Sequence, residues 1–210
     1  MDIGYIAIVI GVILVSMTLH EAMHAFMSYW LGDDTAKLEG RLTLNPVKHI
    51  DPFLTILLPV MLAIVGAPIF GGAKPVPFNP NRVRYDEWGA ALVAMAGPLT
   101  NLLIAFIAFG IYALVGVSQD GVIGQILVTA VLVNLGFFIF NSIPIPPLDG
   151  SRVLYALAPE FVRRGMEAIE RFGIFFIFAI VLIASPVIGR FMQAGTSFFV
   201  DVFGRIFGIG

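Results

Sequence analysis

Two apolar runs, Trp88 to Val117 and Gly121 to Phe140, are separated only by Ser118-Gln119-Asp120. Each reaches the ~20 residues a helix needs to cross a bilayer, and so short a connection folds them into a tight antiparallel pair. Ile3 to Leu31 is a third run long enough to span. Phe172 to Ile188 is a shorter one, and Arg190 to Phe207, with Arg190, Asp201 and Arg205 among aromatics, reads as an interfacial segment. Of the 210 residues, 59% are hydrophobic and 12% charged, against roughly a quarter charged in an ordinary soluble domain. A water-soluble globule is excluded. The expectation is a single integral membrane domain over residues 1–210, all-α, with about four to six transmembrane or re-entrant helices.

The charge balance narrows the partners. A net charge of −2 provides no basic field for nucleic acid, so the partner implied by composition is the lipid bilayer. No cysteine is present, so any metal must be held by His, Asp or Glu. The first run lacks both a basic leader and a small-residue cleavage site and reads as a mature membrane helix rather than a signal peptide.

The connections differ in kind. Residues 32–51 are polar, with Asn45-Pro46 as a turn signal, and form a loop. Pro52 to Phe70 is apolar but interrupted by Pro59, Gly66 and Pro68, so a full span competes with a re-entrant segment. Gly71 to Arg84 (GGAKPVPFNPNR and two further residues) alternates Pro, Gly and polar residues, which predicts a short β-strand or hairpin element between the second and third helices. After Phe140 the prolines of NSIPIPPLDGSR unwind the helix, and residues 151–171 read as a helix lying at the surface.

Chemistry concentrates in the first run. His20-Glu21-Ala22-Met23-His24 is HExxH on a predicted helix. The i, i+4 spacing brings both imidazoles to one face, suited to two ligands of a tetrahedral zinc ion, and Glu21 can serve as general base toward a water. Three ionisable groups in five residues of a membrane helix each cost a few kcal/mol to insert. One divalent cation compensates all of them, whereas a proton or ion pathway compensates them singly.

A zinc hydrolase needs a third protein ligand. His49 sits in the polar loop beside Lys48 and Asp51, where a solvated side chain is expected. Asp149 is isolated in an apolar run after the proline break, although Asp before Gly150 is also an ordinary turn signal. Topology bears on the choice. If 52–70 crosses fully, Asp149 and the histidines lie toward opposite faces. If it is re-entrant, both ends face one side, together with Lys37, Arg41, Lys48, Lys74, Arg82, Arg84, Arg152, Arg163, Arg164 and Arg171, ten of the 12 basic residues. The positive-inside rule makes that side cytoplasmic, with the active site opening there and the N-terminus opposite.

HEAMH, GPLTN at Gly97 to Asn101 and NSIPIPPLDG at Asn141 to Gly150 together resemble the site-2 protease family of intramembrane zinc metalloproteases, and GRLTLNPVKHIDP and GGAKPVPFNPNR are similar to its small prokaryotic branch without added regulatory domains. The resemblance implies one zinc ion held by His20, His24 and Asp149, with Glu21 as general base. It implies a role for Asn141 in holding the substrate backbone or the developing oxyanion. Asn101 belongs to the same pattern, as a substrate contact or a bond to a neighbouring helix. The implied substrate is a membrane protein with a transmembrane helix, cleaved in the plasma membrane. The rival reading is a metal-ion or proton transporter built on the same cluster, against which Ile3 to Val15 contains no acidic, basic or histidine side chain.

Overall fold

The structure is a computed structural model that describes residues 2–64 and 72–209. Among the described residues every regular element is helical: α1 (Ile3–Trp30), α2 (Thr35–Leu38), α3 (Leu58–Ile64), α4 (Asp86–Val115), α5 (Val122–Asn141), α6 (Gly150–Leu157), α7 (Glu160–Glu170) and α8 (Ile174–Phe207), with a 3-10 turn at Pro46–Lys48 and a π-helical turn at Pro52–Leu57 leading into α3. Four of them, α1, α4, α5 and α8, are long and apolar enough to cross a membrane. The all-α expectation holds to that extent.

α4 shows how the bundle is built. Its buried side is mostly small residues, Gly89, Ala90, Ala91, Ala94, Gly97, Ala105 and Ala108, with Val93 and Phe109 the larger apolar ones, whereas Leu92, Leu99, Leu103, Ile107, Ile111 and Leu114 are exposed. That is the reverse of a water-soluble helix. With apolar surroundings there is no hydrophobic gain in burying leucine, so close backbone approach decides which face turns inward. α1 and α5 pack on that face. Asp86 and Glu87 favour the N-terminus of α4 through its dipole, and Gly116 ends it in the left-handed conformation. At one end of the bundle Phe203 and Phe207 of α8 stack on Phe106 and Phe109 of α4, and Phe199 on Phe138 of α5.

The stretch between α1 and α4 begins and ends at the same end of the bundle. The Leu54 carbonyl accepts from the Gly72 amide at 3.1 Å, and the Thr55 hydroxyl donates to the Gly72 carbonyl at 2.7 Å. The chain is thus back at residue 72 where it was at 54. The Arg84 amide donates to the Leu31 carbonyl at 2.9 Å, so α4 starts at the end where α1 stops. Residues 54 and 72 therefore lie together, which a single full crossing by 52–70 would not give. Gly66 and Pro68 lie outside the described residues.

Three expectations need correction. No strand or hairpin forms among the described residues of 71–84. Residues 72–79 run without a partner strand because the amides that bond do so to separate groups: Lys74 donates to the His49 carbonyl (2.9 Å), Val76 to the Glu21 carboxylate (3.2 Å) and Asn79 to the Asp33 carboxylate (2.7 Å), while Pro75 and Pro77 have no proton to give. Second, the last span does not stop at Ile188. α8 continues through Pro186 to Phe207, since a proline deletes one ladder bond and an apolar helix of this length tolerates that. Third, His49 is fully buried rather than solvated, its Nε2 donating to the Thr43 carbonyl at 2.9 Å.

Asp33 anchors the far end of the 72–79 segment and is fully buried. Its carboxylate accepts from the Ser28 hydroxyl (3.1 Å), the Thr35 amide (3.1 Å), the Thr35 hydroxyl (2.5 Å) and the Asn79 amide. Burial alone would raise the pKa, but these four donors outweigh it and hold the carboxyl below its usual value. A depressed carboxylate stabilises the fold above the unfolded value of ~3.9, and that stabilisation is lost as pH falls through the folded value. Asp33→Asn turns an amide NH2 toward donors, with an expected cost of about 1–3 kcal/mol at pH 7. Thermal unfolding in detergent should show the gap to wild type shrinking below about pH 4. A gap independent of pH would refute the assignment.

A candidate metal centre on the first helix

α1 delivers His20 and His24 one turn apart on its buried side. The third group arrives from the unwound segment after α5. Hydrogen bonds from Ile145 to Ile143 and from Leu148 to Ile145 fold residues 143–148 into tight turns, which place Asp149 at the start of α6. Gly150 is required there, because a Cβ would collide with the carbonyl group of Ser142. The Asp-Gly pair is therefore both a turn and a device that presses the carboxylate inward, joining the two readings of Asp149.

The three side chains converge. Asp149 Oδ2 lies 3.2 Å from His20 Nε2 and 3.5 Å from His24 Nε2. One ligand atom from each of the three falls within 4.8 Å of the others. Their protonation follows from the partners behind them. His24 Nδ1 is 2.8 Å from the Val93 carbonyl, which can only accept, so Nδ1 carries the proton. His20 Nδ1 is 2.6 Å from Asn101 Oδ1, again an acceptor. In the neutral rings both Nε2 atoms then present lone pairs to Asp149 Oδ2, a buried oxygen with no hydrogen-bond donor. Three electron-rich atoms facing one another repel unless positive charge lies between them. Two extra protons or one divalent cation would serve, and a single cation satisfies all three at once.

Gly97 shapes the opposite wall. A Cβ at this position would lie 2.7 Å from His20 Nε2 and nearer still to His24 Nε2. Only glycine leaves that space open. The donor set, the unsatisfied oxygen and this gap all fit a small four-coordinate ion such as zinc, whose ligand nitrogens sit at ~2.0–2.1 Å.

The other predicted residues divide. Glu21 is half-buried on α1 and its carboxylate accepts from Val76 N–H. Asn141 ends α5 with its amide donating to the Phe137 carbonyl at 3.0 Å. Asn101 is fully buried and spends its amide within the protein: Oδ1 on His20, Nδ2 on Asn134 Oδ1 (2.7 Å) and the Ser16 carbonyl (3.4 Å). Gly97 and Asn134 were not singled out from sequence. Gly97 stands in the GPLTN pattern, and Asn134 is a lone amide in the apolar run VLVNLGFF, so both left a trace. The amide of Val76 left none.

Comparison with known proteins agrees with the geometry. Residues 115–184 match the model of Peptidase family M50. The chain is similar to "Putative zinc metalloprotease YwhC" of Bacillus subtilis, with 38% identity across 93% of this chain and 90% of the relative. It is also similar to "Putative zinc metalloprotease Rip2" of Mycolicibacterium smegmatis, with 32% identity across 96% of this chain and 76% of the relative. With the Mycobacterium tuberculosis protein of the same name it shares 30% identity across 87% of this chain and 69% of the relative. No solved structure matches the chain.

Proposed function

Because the chain belongs to peptidase family M50, the zinc metalloproteases of the site-2 protease type, we propose that it hydrolyses peptide bonds in or near transmembrane segments of other membrane proteins. The observation that carries this reading is the convergence of Asp149 Oδ2, which has no hydrogen-bond donor, on His20 Nε2 and His24 Nε2 of a helix of membrane-spanning length. A transporter built on the same cluster finds no support in these relatives.

His20, His24 and Asp149 would hold one zinc ion, which when bound supplies a Lewis acid that polarises the scissile carbonyl and acidifies water. Glu21 would take the proton from the attacking water and return it to the leaving amine. To do so its carboxylate exchanges the Val76 amide for that water. Asn141 Nδ2 has a second proton beyond the one given to Phe137, and this one would bond the developing oxyanion. Asn101 works behind His20, fixing the ring. The turns of residues 143–148 line an apolar cavity with Ile180, Val181 and Ile188 of α8, a surface suited to an apolar substrate segment arriving from the bilayer.

The membrane orientation follows the basic residues. The loops after α1 and before α4 lie at one end, joined by the ion pair of Arg82 with Asp34 (2.7 Å) and the bond from Arg41 to the Lys74 carbonyl (2.5 Å). We read that end as cytoplasmic in the plasma membrane. Metal analysis tests the ligand set. Purified wild type should carry zinc near one equivalent, and His24→Ala and Asp149→Ala should each lose it by more than about tenfold in affinity. Retention of full zinc by either variant would refute that residue as a ligand.

A further inference from the structure

The proton on His20 is controlled from two helices away. Asn134 lies fully buried on α5, and its three polar contacts fix the direction of its amide. Nδ2 donates to the Ala130 carbonyl at 2.8 Å and to Ser16 Oγ at 2.8 Å, while Oδ1 accepts from Asn101 Nδ2 at 2.7 Å. A carbonyl can only accept, so Ala130 pins the nitrogen of Asn134 on its own helix and turns Oδ1 toward α4. Against that oxygen Asn101 must present its NH2, which the Ser16 carbonyl at 3.4 Å also requires. The oxygen of Asn101 is left facing His20 and demands a proton on Nδ1. The lone pair is thereby confined to Nε2, the atom that faces Asp149.

We propose that Asn134 is a positioning residue of the metal centre, which acts through Asn101 to select the metal-binding tautomer of His20. An isolated asparagine amide turns over at little cost. If Asn101 did so here, its NH2 would face His20, the ring would accept at Nδ1, and the proton would move to Nε2, where the ligand lone pair is needed. Asn134 makes that inversion costly, because the inverted amide would oppose oxygen to oxygen at Asn134 and again at the Ser16 carbonyl. The chain from Ala130 to His20 crosses α5, α4 and α1, so it also joins the helices. A purely adhesive role would be indifferent to its direction, and that difference can be measured.

The inference rests on His20 as a metal ligand. The 210-residue wild type, Asn134→Leu, Asn134→Asp, Ser16→Ala and His24→Ala are titrated with zinc against a chelator in detergent, with no substrate present. Asn134→Leu removes the acceptor for Asn101 and should lose about tenfold or more in zinc affinity, the range for outer partners of metal ligands. Asn134→Asp offers an acceptor to Asn101 whether ionised or protonated and should stay within about threefold of wild type. Ser16→Ala removes one interhelical bond but leaves Ala130 in control, so it should lower thermal stability and leave zinc affinity unchanged. A folded Asn134→Leu protein with wild-type affinity overturns the proposal, as does an equal loss in all three. Should Asn134→Leu fail to fold, the other two decide: retained affinity supports the directional chain, and a tenfold loss in either refutes it. Wild-type affinity in His24→Ala would instead condemn the ligand set.

Discussion

Gly97→Ala should lose zinc by at least about 100-fold in affinity and with it essentially all proteolysis, while thermal stability changes by no more than about 1–3 kcal/mol, the range for an overpacked core position. Two opposing contributions set that stability. In a helix interior alanine is favoured over glycine by about 1 kcal/mol, so α4 itself gains. The added methyl, however, enters the space bounded by the two Nε2 atoms, where an ion with ~2 Å bonds to nitrogen must fit. A core-packing role for Gly97 predicts lower stability with metal binding intact. Zinc titration beside a melting curve separates the two, and wild-type zinc affinity in the folded variant would dismiss the site as drawn.

Glu21→Gln should reduce cleavage of a helical membrane substrate by about 10²–10⁴-fold, the usual worth of a positioned general base, while zinc content stays at the wild-type level. Glutamine keeps the shape of the side chain and an oxygen for the Val76 amide, so the segment over α1 should remain seated. What it lacks is the capacity to take a proton. Cleavage at the wild-type rate in this variant would sink the proposed mechanism, and loss of zinc would move Glu21 into the ligand set.

How far these features could be seen in sequence depended on whether the signal was local. HExxH and the proline break were legible because each rests on spacing within one segment. The α4–α5 pair was legible from the shortness of its turn. The status of 52–70 required two contacts, Leu54 with Gly72 and Thr55 with Gly72, that no periodicity encodes. The hairpin expected at 71–84 failed for a related reason: proline alternation signals extended backbone but does not say whether a partner strand exists, and here side chains of Glu21 and Asp33 take that part. Arg190, Asp201 and Arg205 set 190–207 apart in sequence from the span before it, whereas α8 runs on through both. Asn134 shows the limit most plainly. A lone amide in an apolar helix announces a polar partner, but only the fold reveals that the partner is Asn101 and that a histidine stands behind it.

The prolines of residues 72–79 bear on how the molecule meets its neighbours. Unpaired backbone is a hazard in any protein, since it templates aggregation with other chains. Here Gly72, Lys74, Val76 and Asn79 spend their amides on the body of the molecule, and Pro75 and Pro77 have none to spend. A stray strand approaching from outside would find only the amides of Ala73 and Phe78 left to give, five residues apart and too few for a ladder. The segment can thus remain unsheeted beside a reactive centre, in a crowded membrane, without recruiting copies of itself.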